Sequence, residues 1–139
     1  MTEASNAFQA APRRSWVWPG RILSALPVLL MLFSAFLKLA NKPEVIEIFS
    51  GKYGYPKQTL VPIGVAELAC VVIYAIPRTA VLGAVLTTTY LGGAVATHVR
   101  AGEVFIGPIL TGIFVWAGLY LRDDRVRTLV PLRRDVRQA

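Results

Sequence analysis

The chain has 139 residues, 55% of them hydrophobic and 17% charged, with a formal net charge of +7 and a single cysteine. Soluble domains carry about 25% charged residues, so this composition excludes an ordinary water-soluble domain, and one cysteine excludes a thiol–disulfide relay. The positive balance needs no nucleic acid, because a basic tail against anionic headgroups accounts for it.

Residues 1–18 read as a disordered N-terminus, with Trp16 and Trp18 placed at the headgroup layer. Pro12, Arg13, Arg14 and Pro19 leave no uninterrupted apolar core there, so this is not a cleavable signal. A transmembrane domain is expected over 19–121. Ile22–Leu37, Thr79–Thr97 and Val104–Leu121 contain no charged residue, and Gln58–Pro77 contains only Glu67. A helix of about 20 mostly apolar residues crosses a hydrocarbon core roughly 30 Å thick. Spans are therefore predicted at 21–41, 58–76, 79–99 and 104–121. A soluble bundle would show a polar stripe on each helix, and these segments have none. Pro27 is a candidate kink in the first span. Between the first two spans, residues 43–50 predict a short amphipathic helix on the outer surface, followed by the turn SGKYGYP with Tyr53 and Tyr55 as interfacial anchors. Residues 122–139 form a basic tail. With this arrangement ten Lys/Arg fall on the side of the termini and four on the other, with Lys38 inside a helix. The positive-inside rule then places both termini in the cytoplasm of a multi-pass protein of the cell (inner or plasma) membrane. The predicted fold is an all-α integral membrane four-helix bundle.

Charges inside such a bundle are costly, about 2.5 to 3.5 kcal/mol at a helix centre on insertion scales. Glu67 is deepest, Lys38 lies about one turn below the outer end of its helix, and His98 ends the third span on that same side. Helical side chains lean toward their own N-terminus. Lys38 and His98 therefore lean inward and Glu67 outward, so the three converge in height. Gly83, Thr87, Tyr90, Ala94 and His98 form one stripe of the third span; Gly64, Glu67 and Val71 do so in the second, and Met31, Ser34, Lys38 and Asn41 in the first. In the fourth, Gly107, Thr111 and Gly118 make a small-residue face. These faces are expected to meet inside the bundle. The blander readings are that Lys38 snorkels to the headgroups, that His98 and Arg100 cap an interface, and that the threonines bond back to their own helices. Arg100 and Glu103 are read as lying in an exposed turn. Thr89, Gly93 and Thr97 read as close packing. Glu67 has no comfortable bland reading.

One histidine and two methionines do not supply a haem, and His98 with Glu103 is too sparse for a closed zinc site, so no metal site is expected. GGAVATH follows no strand and fails as a dinucleotide fingerprint.

FSAFLKLAN closing the first span, GVAELACVVIY in the second and GGAVATHVRAGE ending the third together resemble the DoxX-like family over roughly residues 20–121. The resemblance implies a small four-span membrane protein with Lys38, Glu67 and His98 in its core. The wider DoxX group includes the membrane subunit of a thiosulfate:quinone oxidoreductase.

The expectation is a polar cavity in the outer half of the bundle, with Lys38, Glu67, Thr87, Tyr90 and His98 as ligand-binding candidates. Glu67, His98 and Lys38 are also the candidates for catalysis: a carboxylate and an imidazole that handle protons and a lysine that compensates charge. A quinone or other small amphiphile is the candidate ligand, and the protein a candidate subunit of a membrane redox complex. Expected partners are membrane lipid, a membrane or peripheral redox partner, and a second copy of the chain. The alternatives are a small proton-coupled transporter and a structural or assembly subunit.

Overall fold

The computed structural model describes residues 16–129. The expected disorder at the start of the chain and the end of the basic tail lie outside these residues. Six α-helices follow in order: α1 (Val17–Leu39), α2 (Pro43–Glu47), α3 (Leu60–Ala75), α4 (Ala80–Arg100), α5 (Ile106–Arg122) and α6 (Asp124–Leu129). No strand occurs among the described residues. The all-helical expectation holds, with several helices apolar and long enough to cross a bilayer.

The first helix starts at Val17, four residues earlier than predicted from sequence, so residues 16–18 belong to the helical start. Pro19 is harmless there, because the first-turn N–H groups have no intrahelical partner to lose. Pro27 lies inside α1 without ending it. The helix stops where Asn41 takes a positive φ of 50°, a conformation that Asn adopts more readily than most residues. The outer segment is longer and less regular than a single amphipathic helix: α2 runs into a π-helical turn, Ile48–Lys52. A 3₁₀ turn, Lys57–Thr59, then leads into α3. Val17–Leu39, Ala80–Arg100 and Lys57–Ala75, which is α3 together with the 3₁₀ turn before it, meet the length needed to span, while α5, at 17 residues, is shorter.

The long helices close into a ring in which α1 and α4 each pack on both α3 and α5. Small residues make the close approaches. A Cβ on Gly83 would strike the backbone of Tyr74 and Ile73, and one on Gly118 would strike Ser24. Large apolar side chains point the other way: Leu29, Phe33 and Phe36 are each exposed by more than 60%. An apolar exterior over an interior of Gly, Ala, Ser and Thr is the pattern of a bundle solvated by lipid. At the end away from α2, the buried Tyr74 hydroxyl donates to the Val115 carbonyl at 2.8 Å and pairs with the Ser24 hydroxyl at 3.0 Å, tying α1, α3 and α5. That lock leaves the opposite, α2-bearing end as the place where the helices part.

Candidate functional site

Lys38 and Glu67 form a buried ion pair. The ammonium is 2.8 Å from Oε2 of Glu67 and 2.5 Å from the Ser34 hydroxyl, which in turn donates to Oε2 at 3.3 Å. Ser34 and Lys38 are one turn apart on α1, and Glu67 reaches them from α3, as the opposed side-chain lean requires. Gly64, one turn from Glu67, admits the Lys38 side chain: a Cβ there would sit 3.0 Å from that of Lys38. The ammonium also lies 5.7 Å from the centre of the Phe49 ring, an attraction to the ring face that strengthens where water is excluded.

This corner opens into a cavity of about 910 Å³ between α1, α3, α4 and the outer segment. Its walls are chiefly apolar, and Glu67, Lys38, Tyr90 and His98 are among the residues that line it. Leu30 and Phe33 also line it, yet are 59% and 65% exposed on the bundle surface. Residues that exposed cannot be sealed inside, so the cavity continues sideways to the lipid-facing surface. Such a volume is in the range of small-molecule sites, which combine apolar walls with a few placed polar groups.

The outer segment forms the roof. Phe49, Tyr53 and Tyr55 line the cavity from above. Phe49 packs edge-on against Tyr53, with centroids 5.6 Å apart, and Tyr53 lies 5.7 Å from the His98 ring. The Tyr53 hydroxyl donates to Glu103 at 2.8 Å, Lys52 pairs with the same carboxylate, and Arg100 donates to the Tyr53 carbonyl at 2.7 Å. Hydrogen bonds from Lys52 and then Tyr53 hold the Glu103 carboxyl below its ordinary range. Burial, reinforced by Glu103, pushes the Tyr53 phenol up to about 12.

The expected convergence of Lys38, Glu67 and His98 takes a specific form. All three line one cavity, but only Lys38 and Glu67 bond to each other. Nδ1 of His98 lies 2.7 Å from the Ala94 carbonyl. With that carbonyl as partner the proton belongs on Nδ1, leaving the Nε2 lone pair unused by this bond. Thr87, the remaining candidate, is 1% exposed with its hydroxyl unpaired, and lies in the helix packing rather than on the cavity wall. Thr88, Thr89, Thr97 and Thr111 bond back to carbonyls four residues earlier, as the blander reading had it. From the sequence, Ser34 falls on the inward stripe of α1 and Tyr53 and Tyr55 read as interfacial anchors, but none of them, nor Phe49, is named as a site residue; the four-residue spacing of Ser34 and Lys38 was the available signal. Glu103 sits in a clasp rather than in a free exposed turn, because the outer segment folds back onto it. Thr89, Gly93 and Thr97, read as packing, are on the cavity wall.

The family model of the DoxX-like family matches residues 22–119, well over half of the chain. The chain belongs to the DoxX-like family. Comparison with curated proteins and with solved structures finds no match. The matched region of this DoxX-like protein runs from the first turns of α1 almost to the end of α5, so it contains the ion pair, the cavity wall and the roof.

Proposed function

We propose that this DoxX-like membrane protein binds a lipid-soluble molecule with a polar, hydrogen-bonding head, of the quinone class, in the cavity beneath the roof. The observation that carries this reading is the union of a side opening toward lipid with a single polar corner at Lys38, Ser34 and Glu67. An apolar tail would remain between Leu30 and Phe33 while the head reaches the corner. The Lys38 ammonium has three N–H donors for two protein partners, so it can offer one to a ligand carbonyl. A hydroquinone hydroxyl would find an acceptor in Glu67 or in Nε2 of His98. We further read the protein as a subunit of a redox complex in the cell membrane, both termini cytoplasmic, with electrons exchanged through a partner. A proton-coupled transporter is less favoured, since Lys38 already compensates the carboxylate such a mechanism would cycle.

The test is extraction of the protein from its native membrane in mild detergent, with mass spectrometry of the bound organic fraction. A quinone at near one-to-one ratio supports the reading. A stoichiometric protein partner with no lipid-soluble ligand overturns it in favour of an assembly role.

A further inference from the structure

Residues 43–56 cross the mouth of the bundle from the end of α1 to the start of α3, but the polar contacts that hold them down run to α4 and the turn after it. Glu103 takes the Tyr53 hydroxyl and the Lys52 ammonium, Arg100 takes the Tyr53 carbonyl, and Thr97 pairs with the Tyr55 hydroxyl at 2.8 Å. The Arg100 guanidinium also lies 5.0 Å from the Tyr55 ring centre. Gly54, at φ +69°, makes the turn between the two tyrosines, a conformation that costs glycine little. The roof is thus fixed at one edge by covalent continuity with α1 and α3, and at the other by a handful of polar contacts.

Lys52, Arg100 and Glu103 lie at the rim and do not line the cavity. The Lys52 side chain is 55% exposed and Arg100 is exposed, so water can replace each partner as the contact breaks. Exposed ion pairs of this kind hold weakly. Directly under them lie Phe49, Tyr53 and Tyr55, and beneath Phe49 lies the Lys38 ammonium. Lifting this edge would open the cavity to the aqueous side without disturbing the helix packing or the Tyr74 lock at the far end.

We propose that residues 43–56 are an aqueous gate, latched shut by Glu103 on Tyr53 and Lys52, whose release admits water and small hydrophilic reactants to the Lys38–Glu67 corner. This gate deepens the ligand-site reading above and presupposes that the cavity is a site. The two routes differ in chemistry: an apolar ligand enters sideways from lipid, and a water-soluble reactant enters through the roof. They meet at the ion pair.

Cys70, the only cysteine in the chain, lines the cavity and serves as a built-in reporter. In lipid nanodiscs the bilayer closes the side route to a permanently charged trimethylammonium methanethiosulfonate, so its reaction with Cys70 reads aqueous access alone. Wild type should react slowly at neutral pH. Glu103→Gln, Tyr53→Phe and Lys52→Gln should each react faster, by about tenfold where a hydrogen bond to the charged carboxylate is lost. Cys70→Ala supplies the background. Tyr53→Phe keeps the ring packing, so it carries the test even if Glu103→Gln fails to fold. Equal rates in wild type and Tyr53→Phe, or fast labelling of wild type, would overturn the gate. No quinone enters this experiment, so a failed gate and a failed quinone reading remain separate results.

Discussion

Lys38 on α1 and Glu67 on α3 meet as an ion pair 2.8 Å apart, their side chains 11% and 4% exposed. Neither charge could be left alone in this bundle. Removing one partner of a buried pair strands the other, at about 3–5 kcal/mol, whereas replacing both by apolar groups is often close to neutral.

Lys38→Met should therefore lower the unfolding free energy by about 3–5 kcal/mol, and a Lys38→Met/Glu67→Leu double variant should recover most of that loss. Chemical denaturation in detergent measures both. Additive losses in the double variant would show that the two residues do not act as a pair.

Gly83 and Gly92 stand on the same helix with opposite surroundings. A methyl at Gly83 meets the Tyr74 backbone, and one at Gly92 meets nothing within 4 Å. Gly83→Ala should cost about 1–3 kcal/mol by forcing α3 and α4 apart. Gly92→Ala should be neutral, or stabilising by up to about 1 kcal/mol from helix propensity. Thermal melts of the two variants side by side decide this; equal melting points would contradict the packing.

Much of this was legible in the sequence because lipid imposes a severe rule: a charge inside a span must have a partner. The lean of side chains toward the helix N-terminus was enough to bring Lys38 and Glu67 to one height. The Gly83–Thr87–Tyr90 stripe points inward for the same reason, namely that small and polar residues avoid lipid. The roof was not legible. Tyr53 and Tyr55 look like interfacial anchors in any outer loop, and only tertiary packing turns them back onto α4. Thr87 illustrates the opposite failure: it sits on the correct face but at a level where helices touch, so the cavity never reaches it.

The clasp should be insensitive to pH across the neutral range. The Glu103 carboxyl is held below its ordinary value of 4.5, first by the Lys52 hydrogen bond. A depressed carboxylate contributes fully above its unfolded value and fades as the pH falls through the folded one. The Tyr53 phenol, raised from 10.0 to about 12, contributes fully below its unfolded value and fails as the pH rises through the folded one. The aromatic near-ultraviolet dichroism of the roof, taken as wild type minus Glu103→Gln, should be flat between those limits. A transition inside that window would contradict the assignment of the clasp to Glu103 and Tyr53.

Ligand binding in the cavity is the central claim, and a cavity-filling variant tests it most directly. Gly93 lines the cavity and has open space around its Cβ position, so Gly93→Leu should fold normally while occupying part of the site. Calorimetric titration of decylubiquinone into protein in nanodiscs, against empty discs, should give saturable one-to-one binding to wild type. Gly93→Leu should weaken it by about tenfold or more, equivalent to about 1.4 kcal/mol. No saturable binding to wild type, or equal affinity in Gly93→Leu, would contradict the assignment of this cavity as the ligand site.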